Sequence, residues 1–351
     1  MSTDTTQYIA QNHIIFTRYL YIKDEVEYAL ITSILSKKTE QSLFWAYELY
    51  YSGFQSELFQ QLWDIYYDFY ATLNPSFIAY FEKKHKEWLN NKHQDTIISQ
   101  IVQDLIIRPF NLDVFLYKRE TSHIPIDKTF IECLKTRDYK AIATYIILYD
   151  APDKSTALHN SIRDHFQPTS TEQKKINSII NPAHLLSHVF HLYSKQSNLK
   201  MGKKLYVQVK PEEIEQYKTA QTTPAYKILQ SVSLFNIDSD NTIALFPLKR
   251  DHHPDIQDVY WLHWEYYASF SPLWLYRIEK YHGQVDHQNK KVHFPTVEDE
   301  EDFYEEYGYE PDEQSKQTQE KSIQPLQRGL TWSAFYQTLT CNITNPKNSL
   351  S

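Results

Sequence analysis

The stretch "FWAYELYYSGF", residues 44–54, decides the fold class. Its apolar and aromatic residues recur at helical spacing, and Gly53 stands where a glycine often ends a helix because it tolerates positive φ. The following "ELFQQLW" resumes the same spacing at once, so the two runs predict an antiparallel αα-hairpin. The packing face of the first run consists of Leu43, Tyr47, Tyr50 and Phe54.

Glu48 is the only acid within this aromatic run. It lies beside the packing face, which predicts either an exposed carboxylate or one bonded to a tyrosine hydroxyl of a neighbouring helix. Paired carboxylates can perform acid–base chemistry, and Asp64, Asp68 and Glu265 are the other acids inside aromatic helices. The first two stand opposite the apolar face of their helix, so we expect them to be solvated rather than catalytic.

Similar helical runs follow one another to about residue 200 without a repeat of fixed period. We therefore expect a mainly α protein, an irregular helical bundle or a solenoid of αα-hairpins, with a small α+β C-terminal part. Alternating apolar residues predict a strand over 204–209, and "HQNK" between two alternating runs predicts a hairpin over 284–294. The predicted divisions are an all-α domain (1–200), an α+β part (201–295), a mobile acidic segment (296–327), and a last helix with a loose tail (328–351).

Composition excludes several classes of function. The 5 glycines are scattered along 351 residues, whereas phosphate-binding loops need closely spaced glycines, which excludes a P-loop, a Rossmann fingerprint and a kinase glycine-rich loop. Cys133 and Cys341 are too far apart in sequence for a disulfide framework or a thiolate metal site, and suit a reducing compartment. The N-terminus has no signal peptide pattern, and no apolar run is long enough to cross a membrane.

The charge is uneven. The formal net charge is −8, while "EDEEDFYEEYGYEPDE" (298–313) contains 10 acids and no base, so the rest of the chain is near neutral. A near-neutral body gives little support for phosphate-driven nucleic-acid binding. The acidic segment is either a solvated loop or a partner contact that folds on binding. Its candidate contact residues are Glu300, Phe303, Tyr304, Tyr307, Tyr309 and Asp312.

Two histidine clusters are candidate metal sites. In "HLLSHVFH", His184, His188 and His191 stand at i, i+4 and i+7, a spacing by which one helix face can present imidazoles to zinc. The alternative is a polar or partner-facing helix face, and no glutamate follows His184 as it does in metalloprotease helices. The cluster "KRDHHPD" (249–255) is interpreted as a charged turn before a helix.

The strings "FWAYELYYSGF", "IYYDFYATLNPSF", "RPFNLDVF" and "YEPDEQ" resemble those of an uncharacterised protein family of large nucleocytoplasmic DNA viruses of algae and protists. The resemblance extends from about residue 40 to 315. It implies a setting in the cytoplasm of the host cell, the viral factory or the virion. That family has no established activity, so the resemblance assigns no functional residue.

These observations favour a non-enzymatic helical scaffold or protein-interaction protein of such a virus, with a protein partner bound through the acidic aromatic segment. Two alternatives stay open. One is a nucleic-acid-associated accessory factor in viral transcription or replication, to which the aromatic run "VYWLHWEYYASFSPLWLY" (259–276) would contribute base stacking rather than core packing. The other is a metal-dependent enzyme that uses the face of three histidines.

Overall fold

The structure, a computed structural model, describes residues 14–120, 127–148, 152–196, 199–218, 235–236, 263–307, 315–317 and 330–331. Helices make up most of this part, which confirms the predicted mainly α fold with little β-structure. The α-helices are α1 (Lys23–Leu35), α2 (Thr39–Tyr51), α3 (Gln55–Ile65), α4 (Phe77–Asn90), α5 (Thr96–Ile106), α6 (Asp113–Glu120), α7 (Phe130–Thr136), α8 (Tyr139–Leu148), α9 (Pro152–Phe166), α10 (Ser170–Ser178), α11 (Pro182–Gln196), α12 (Glu215–Lys218), α13 (Pro272–Lys280) and α14 (Val297–Tyr307).

Short irregular helices and strands complete the described chain. Residues Tyr66–Tyr70 form a π-helix directly after α3, and Pro211–Ile214 form a 3₁₀ turn before α12. The strands are β1 (Phe235–Asn236), β2 (Gln284–Asp286), β3 (Lys291–His293) and β4 (Leu330–Thr331). β1 and β4 pair in parallel, and β2 and β3 pair antiparallel with Val285 opposite Val292. None of the described helices is long and apolar enough to cross a lipid bilayer.

The two helices predicted on either side of Gly53 are present as α2 and α3, but α2 packs against α1 and does not pair with α3 as the predicted antiparallel αα-hairpin would. Ser52 is the C-cap of α2, Gly53 has φ +97°, and the Phe54 N–H donates to the Leu49 carbonyl over 3.1 Å. This is the left-handed helix ending in which a glycine satisfies terminal carbonyls. A Cβ on Gly53 would lie 2.6 Å from Pro272 Cβ. The close packing of this turn against Pro272 therefore also requires a residue without a side chain.

The chain divides into two compact units. The first comprises Met1–Gln61, Val209–Ile237 and Phe246–Thr331, and the second Leu62–Gln208, Asp238–Leu245 and Trp332–Ser351. This division differs from the predicted boundary at residue 200. The reason lies in the core of the first unit, where Phe16 and Leu20 pack in one buried cluster with Trp264, Trp274 and other residues of the C-terminal part.

The first unit contains the predicted hairpin and an unexpected helix. The turn between β2 and β3 is closed by Asp286, whose Oδ1 accepts the N–H groups of Gln288 (2.9 Å) and Asn289 (3.0 Å). The expectation of a mobile segment from residue 296 is wrong for Val297–Tyr307, which is α14. Phe303 of this helix is fully buried, and that burial anchors a sequence that composition alone marks as disordered.

The C-terminal prediction is also corrected in part. A last helix is predicted within 328–351, but Leu330 and Thr331 near its start form β4 beside Phe235 and Asn236. The rest of that predicted helix and the tail lie outside the described residues, as do residues 308–314 and 318–329 of the acidic and polar stretch.

The second unit is helical. Its core cluster joins α6 to α11 and includes Val114, Cys133, Ile142, Leu186 and Val189, all fully buried. The run "NLDVFLYK", which periodicity leaves ambiguous between strand and helix, belongs mainly to α6. Residues 199–210 follow α11 without a helix, and the strand predicted over 204–209 has no paired strand in the described chain.

Candidate functional site

The candidate site is the outer face of α14, the described part of the acidic segment. Thr296 caps its start: the Asp299 N–H donates to Thr296 Oγ1 over 3.1 Å, and the Thr296 hydroxyl donates to Asp299 Oδ2 over 2.5 Å. A hydroxyl that accepts a hydrogen bond from an unsatisfied N–H of the first turn stabilises the helix start. Acids in that turn stabilise the helix further, because their negative charge interacts favourably with the helix dipole. The acids of the first turn are Glu298, Asp299 and Glu300.

Aromatic side chains hold the inner face of α14. The ring of Phe303 is 0% exposed, and its centroid lies 5.0 Å from that of Phe294 and 6.3 Å from that of Trp264. The Tyr304 hydroxyl donates to Glu265 Oε1. The Tyr307 ring lies 4.7 Å from the Arg277 guanidinium carbon, a cation–π contact. The helix is therefore a fixed element of the first unit.

Two carboxylates at the sides of α14 are bound by residues of α13 and the chain after it. His282 Nδ1 lies 2.9 Å from Asp299 Oδ1, and Lys280 Nζ lies 2.5 Å from Glu306 Oε2. The bond with Lys280 lowers the pKa of Glu306 to about 2. Hydrogen bonds from Thr296 and His282 lower the pKa of Asp299. Both groups are therefore charged and partnered.

The remaining acids of the helix are exposed, and no ion pair links them to any residue in the described part of the chain. They are Glu298, Glu300, Glu301, Asp302 and Glu305. Four of them, at positions 298, 301, 302 and 305, follow i, i+3, i+4, i+7 spacing and so form one stripe opposite Phe303. The helix thus presents a stripe of solvated negative charge in a fixed geometry.

The predicted contact residues separate into three groups. Glu300 is exposed as a contact residue requires. Phe303 is buried and Tyr304 and Tyr307 are half-buried against the core, so the aromatic residues hold the helix and do not form its free face. Tyr309 and Asp312 lie outside the described residues. An amphipathic pattern of Phe303, Tyr304 and Tyr307 within acids was the sequence signal for this helix.

The expectation of an exposed or tyrosine-bonded Glu48 is wrong. Glu48 is 0% exposed, its Oε2 lies 3.3 Å from Arg18 Nη2, and its Oε1 accepts the Tyr19 N–H over 2.8 Å. Burial raises the pKa of Glu48, and the charge of Arg18 opposes that rise. Since the partner lies 30 positions away in the chain, local periodicity could not reveal it.

Asp68 is also buried, contrary to the solvated position predicted from α-helical spacing. Its Oδ1 accepts a hydrogen bond from Lys118 Nζ over 2.7 Å, while Asp64 is exposed as expected. The π-helix explains the difference, because each π turn takes one more residue than an α turn and rotates the following side chains.

A second buried arginine–carboxylate pair was not predicted. Asp104 lies in α5 and is 0% exposed, and Arg108 lies just after the end of α5 and is 3% exposed. Arg108 Nη1 lies 3.3 Å from Asp104 Oδ1. Burial raises the pKa of Asp104. Arginine is scarce in this chain, and its occurrence within the apolar strings "IIFTRYLY" and "DLIIRPF" is the signal that marks both pairs.

The three candidate zinc ligands do not converge. The His184 ring stacks on Tyr67 with a centroid distance of 5.1 Å. His191 Nδ1 lies 2.9 Å from the Thr72 carbonyl oxygen, which can only accept, so Nδ1 carries the proton. His188 is buried, and its Nε2 has no hydrogen-bond partner among the described residues. Across the same residues, no group of three or more His, Cys, Asp or Glu side chains is arranged to hold a metal ion.

The other sequence candidates are not assembled into a site. Glu265 accepts the hydroxyl of Tyr304 and so serves the packing of α14. Trp264 and Tyr267 are buried in the core cluster of the first unit. This position fits core packing and leaves their rings no free face for base stacking. The cluster at 249–255 lies outside the described residues. No protein-family model, curated protein or solved structure matches the chain.

Proposed function

We propose that this protein acts by binding a basic segment of another protein along the outer face of α14. The observation that supports this proposal is the stripe of four exposed carboxylates at positions 298, 301, 302 and 305, on a helix where only Asp299 and Glu306 are already paired within the described residues. A fixed helix needs little ordering on binding, so its charges lose less conformational entropy than those of a loose loop. A lysine- and arginine-rich segment is the complementary partner.

A binding role agrees with the use of the buried acids. Glu48, Asp68 and Asp104 each form an ion pair with a cation of the protein itself, which supports a structural role for them. We propose a scaffold or interaction protein for this reason. The proposed viral setting, in the cytoplasm of an infected cell, rests on the sequence resemblance alone.

The test is a binding titration of a fluorescently labelled lysine- and arginine-rich peptide, followed by fluorescence anisotropy. The variant Glu298→Gln/Glu301→Gln/Asp302→Asn/Glu305→Gln removes the stripe. We expect its Kd to rise about five- to thirtyfold at low salt, since four exposed pairs at a few tenths of a kcal/mol each sum to about 1–2 kcal/mol. Wild-type binding should weaken as salt increases.

The matched control removes the same number of charges elsewhere. Glu57, Glu82, Asp127 and Glu212 are exposed acids outside α14, and their amide variants change the net charge equally. We expect the control to bind like the wild type. Equal weakening in both variants would show that net charge, and not the stripe on α14, attracts the peptide, and would refute the proposal.

A further inference from the structure

The segment that follows α11 carries a second surface, and its alternate residues Leu205 and Val207 bond to the same side, as in a β-strand. Over 203–208 the chain reads "KKLYVQ", with Leu205 58% and Tyr206 37% exposed. Its start is fixed by Gly202, whose N–H donates to the Leu73 carbonyl over 2.9 Å. A side chain at Gly202 would collide with Asn74, so this close approach requires a glycine.

One edge of the segment is bound by the buried pair of α5. The Val207 N–H donates to Asp104 Oδ1 over 2.8 Å, and Arg108 Nη2 donates to the Leu205 carbonyl. The carboxylate thus accepts and the guanidinium donates, as the backbone of a neighbouring strand would. Tyr206 adds a stack on Tyr80, with ring centroids 4.2 Å apart.

The opposite edge is unbonded within the part of the chain that the structure describes. In an extended strand, the N–H and C=O of one residue point to the same side, and those of the next residue point to the other. Since Leu205 and Val207 use the side toward α5, the backbone groups of Lys204, Tyr206 and Gln208 point away from it. In the described chain, no hydrogen bond to these groups is present. A row of unpaired backbone groups is a template for another strand.

The charge of the segment limits what can pair with it. Lys200, Lys203 and Lys204 are exposed, no ion pair involves them within the described residues, and residues 199–208 contain no acid. Lysines on an edge oppose pairing with a second copy of the same segment, because like charges would meet across the two strands. An acidic strand would meet them favourably.

We propose that the edge formed by residues 203–208 is a docking site for an acidic, extended segment of another protein, which adds there as a β-strand. Backbone hydrogen bonds supply affinity in this mode, and alternate side chains supply specificity. The complementary segment has an acid opposite Lys204 and an apolar residue opposite Tyr206, which extends the aromatic surface of Tyr206 and Tyr80. This surface has the opposite charge to the stripe on α14 and is independent of it.

The test uses the full chain and three labelled peptides that share one sequence. In this sequence every second residue is threonine, and the residues between the threonines are a glutamate, a central valine and a second glutamate. One peptide is unmodified. The second carries N-methyl groups on the amides of odd-numbered residues, and the third on those of even-numbered residues. Fluorescence anisotropy measures binding. Only one of the two sets of amides can face the edge, so we expect one methylated peptide to bind at least tenfold more weakly and the other to bind like the unmodified peptide.

Protein variants test the same edge from the other side. Gln208→Pro removes an N–H that points to the open edge, whereas the matched Gln208→Ala keeps it. Proline restricts the residue before it, Val207, to an extended conformation, which suits a strand at this position. We expect Gln208→Pro alone to weaken peptide binding at least tenfold, with circular dichroism confirming that both variants fold. If the proline variant does not fold, the comparison of the two methylated peptides still decides.

A labelled single-stranded oligothymidine is the competing ligand, since lysines beside an exposed tyrosine also suit nucleic acid. We expect its binding to be weaker than that of the unmodified peptide. Equal binding of all three peptides, or oligothymidine binding that exceeds peptide binding and depends on Lys203 and Lys204 but not on the Gln208 N–H, would overturn the proposal of strand addition.

Discussion

Arg18 Nη2 and Glu48 Oε2 lie 3.3 Å apart, and both side chains are buried in the first unit. The same guanidinium donates to the Tyr217 carbonyl over 2.9 Å, so the pair ties α12 to α2, which contains Glu48. A buried pair of this kind costs desolvation on folding, and it is stable only because each remaining donor and acceptor has a partner.

The first prediction concerns this pair. Arg18→Met should destabilise the protein at neutral pH by about 3–5 kcal/mol, because it leaves a buried carboxylate without its cation. Arg18→Met/Glu48→Gln should recover much of that loss, since a glutamine is neutral and still accepts the Tyr19 N–H. Urea denaturation of the two variants and the wild type measures the difference. Equal stability of the single and double variants would show that the charge of Glu48 has no role.

The second prediction concerns the turn between α2 and α3. Gly53→Ala places a Cβ at φ +97° and 2.6 Å from Pro272 Cβ, so both strain and a clash result. The strain of a left-handed residue costs about 1–2 kcal/mol, and overpacking adds about 1–3 kcal/mol. Denaturation should show the sum in Gly53→Ala.

The two parts can be separated with a double variant. Gly53→Ala/Pro272→Gly removes the atoms that the new methyl group would meet but keeps the φ strain. Compared with Pro272→Gly alone, the added alanine should therefore cost only the strain, about 1–2 kcal/mol. A cost as large as in the wild-type background would show that the close approach to Pro272 has no energetic effect.

The sequence predicted those features whose cause is local. The helices α2 and α3 and the turn between them follow from helical spacing around Gly53, and the strands paired at Val285 and Val292 follow from alternation around "HQNK". The predictions for Glu48 and Asp68 were wrong for two different reasons. The partner of Glu48 is distant in sequence, and Asp68 lies in a π turn that no spacing rule predicts.

The candidate site shows the same division. Acids at positions 298, 301, 302 and 305 and aromatic residues on the other face are visible in the sequence as an amphipathic helix, although high charge suggested mobility instead. The open edge of residues 203–208 could be predicted only as an alternating strand. The contacts of this edge with Asp104 and Arg108 could be found only from the three-dimensional structure, since Val207 lies 103 positions from Asp104 in the sequence.

The third prediction concerns the anchor of α14. Phe303→Ala should destabilise the first unit by about 3–5 kcal/mol, because it empties a fully buried ring site among Trp264, Tyr281 and Phe294. Hydrogen exchange of the α14 amides should accelerate in this variant. Glu305→Gln, on the exposed face of the same helix, is the control and should leave exchange unchanged. Equal exchange in both variants would contradict the anchoring role of Phe303.

The fourth prediction concerns pH. Burial lowers the pKa of His184 and of His188 to about 4 in the folded protein, from an ordinary 6.5. The unfolded chain therefore binds protons first as pH falls, so stability is full above pH 6.5 and is lost progressively down to about pH 4.

For His188, which is the more buried of the two, this loss amounts to at most about 3 kcal/mol, since each pKa unit corresponds to about 1.4 kcal/mol. Urea denaturation at pH 7.5 and pH 5 measures the part lost in this range, about 2 kcal/mol. His188→Leu cannot titrate, so the difference in unfolding free energy between the two pH values should shrink relative to the wild type. Lys175→Gln, a change on the adjacent α10, should keep the wild-type difference. An unchanged pH dependence in His188→Leu would show that His188 is accessible to protons in the folded protein.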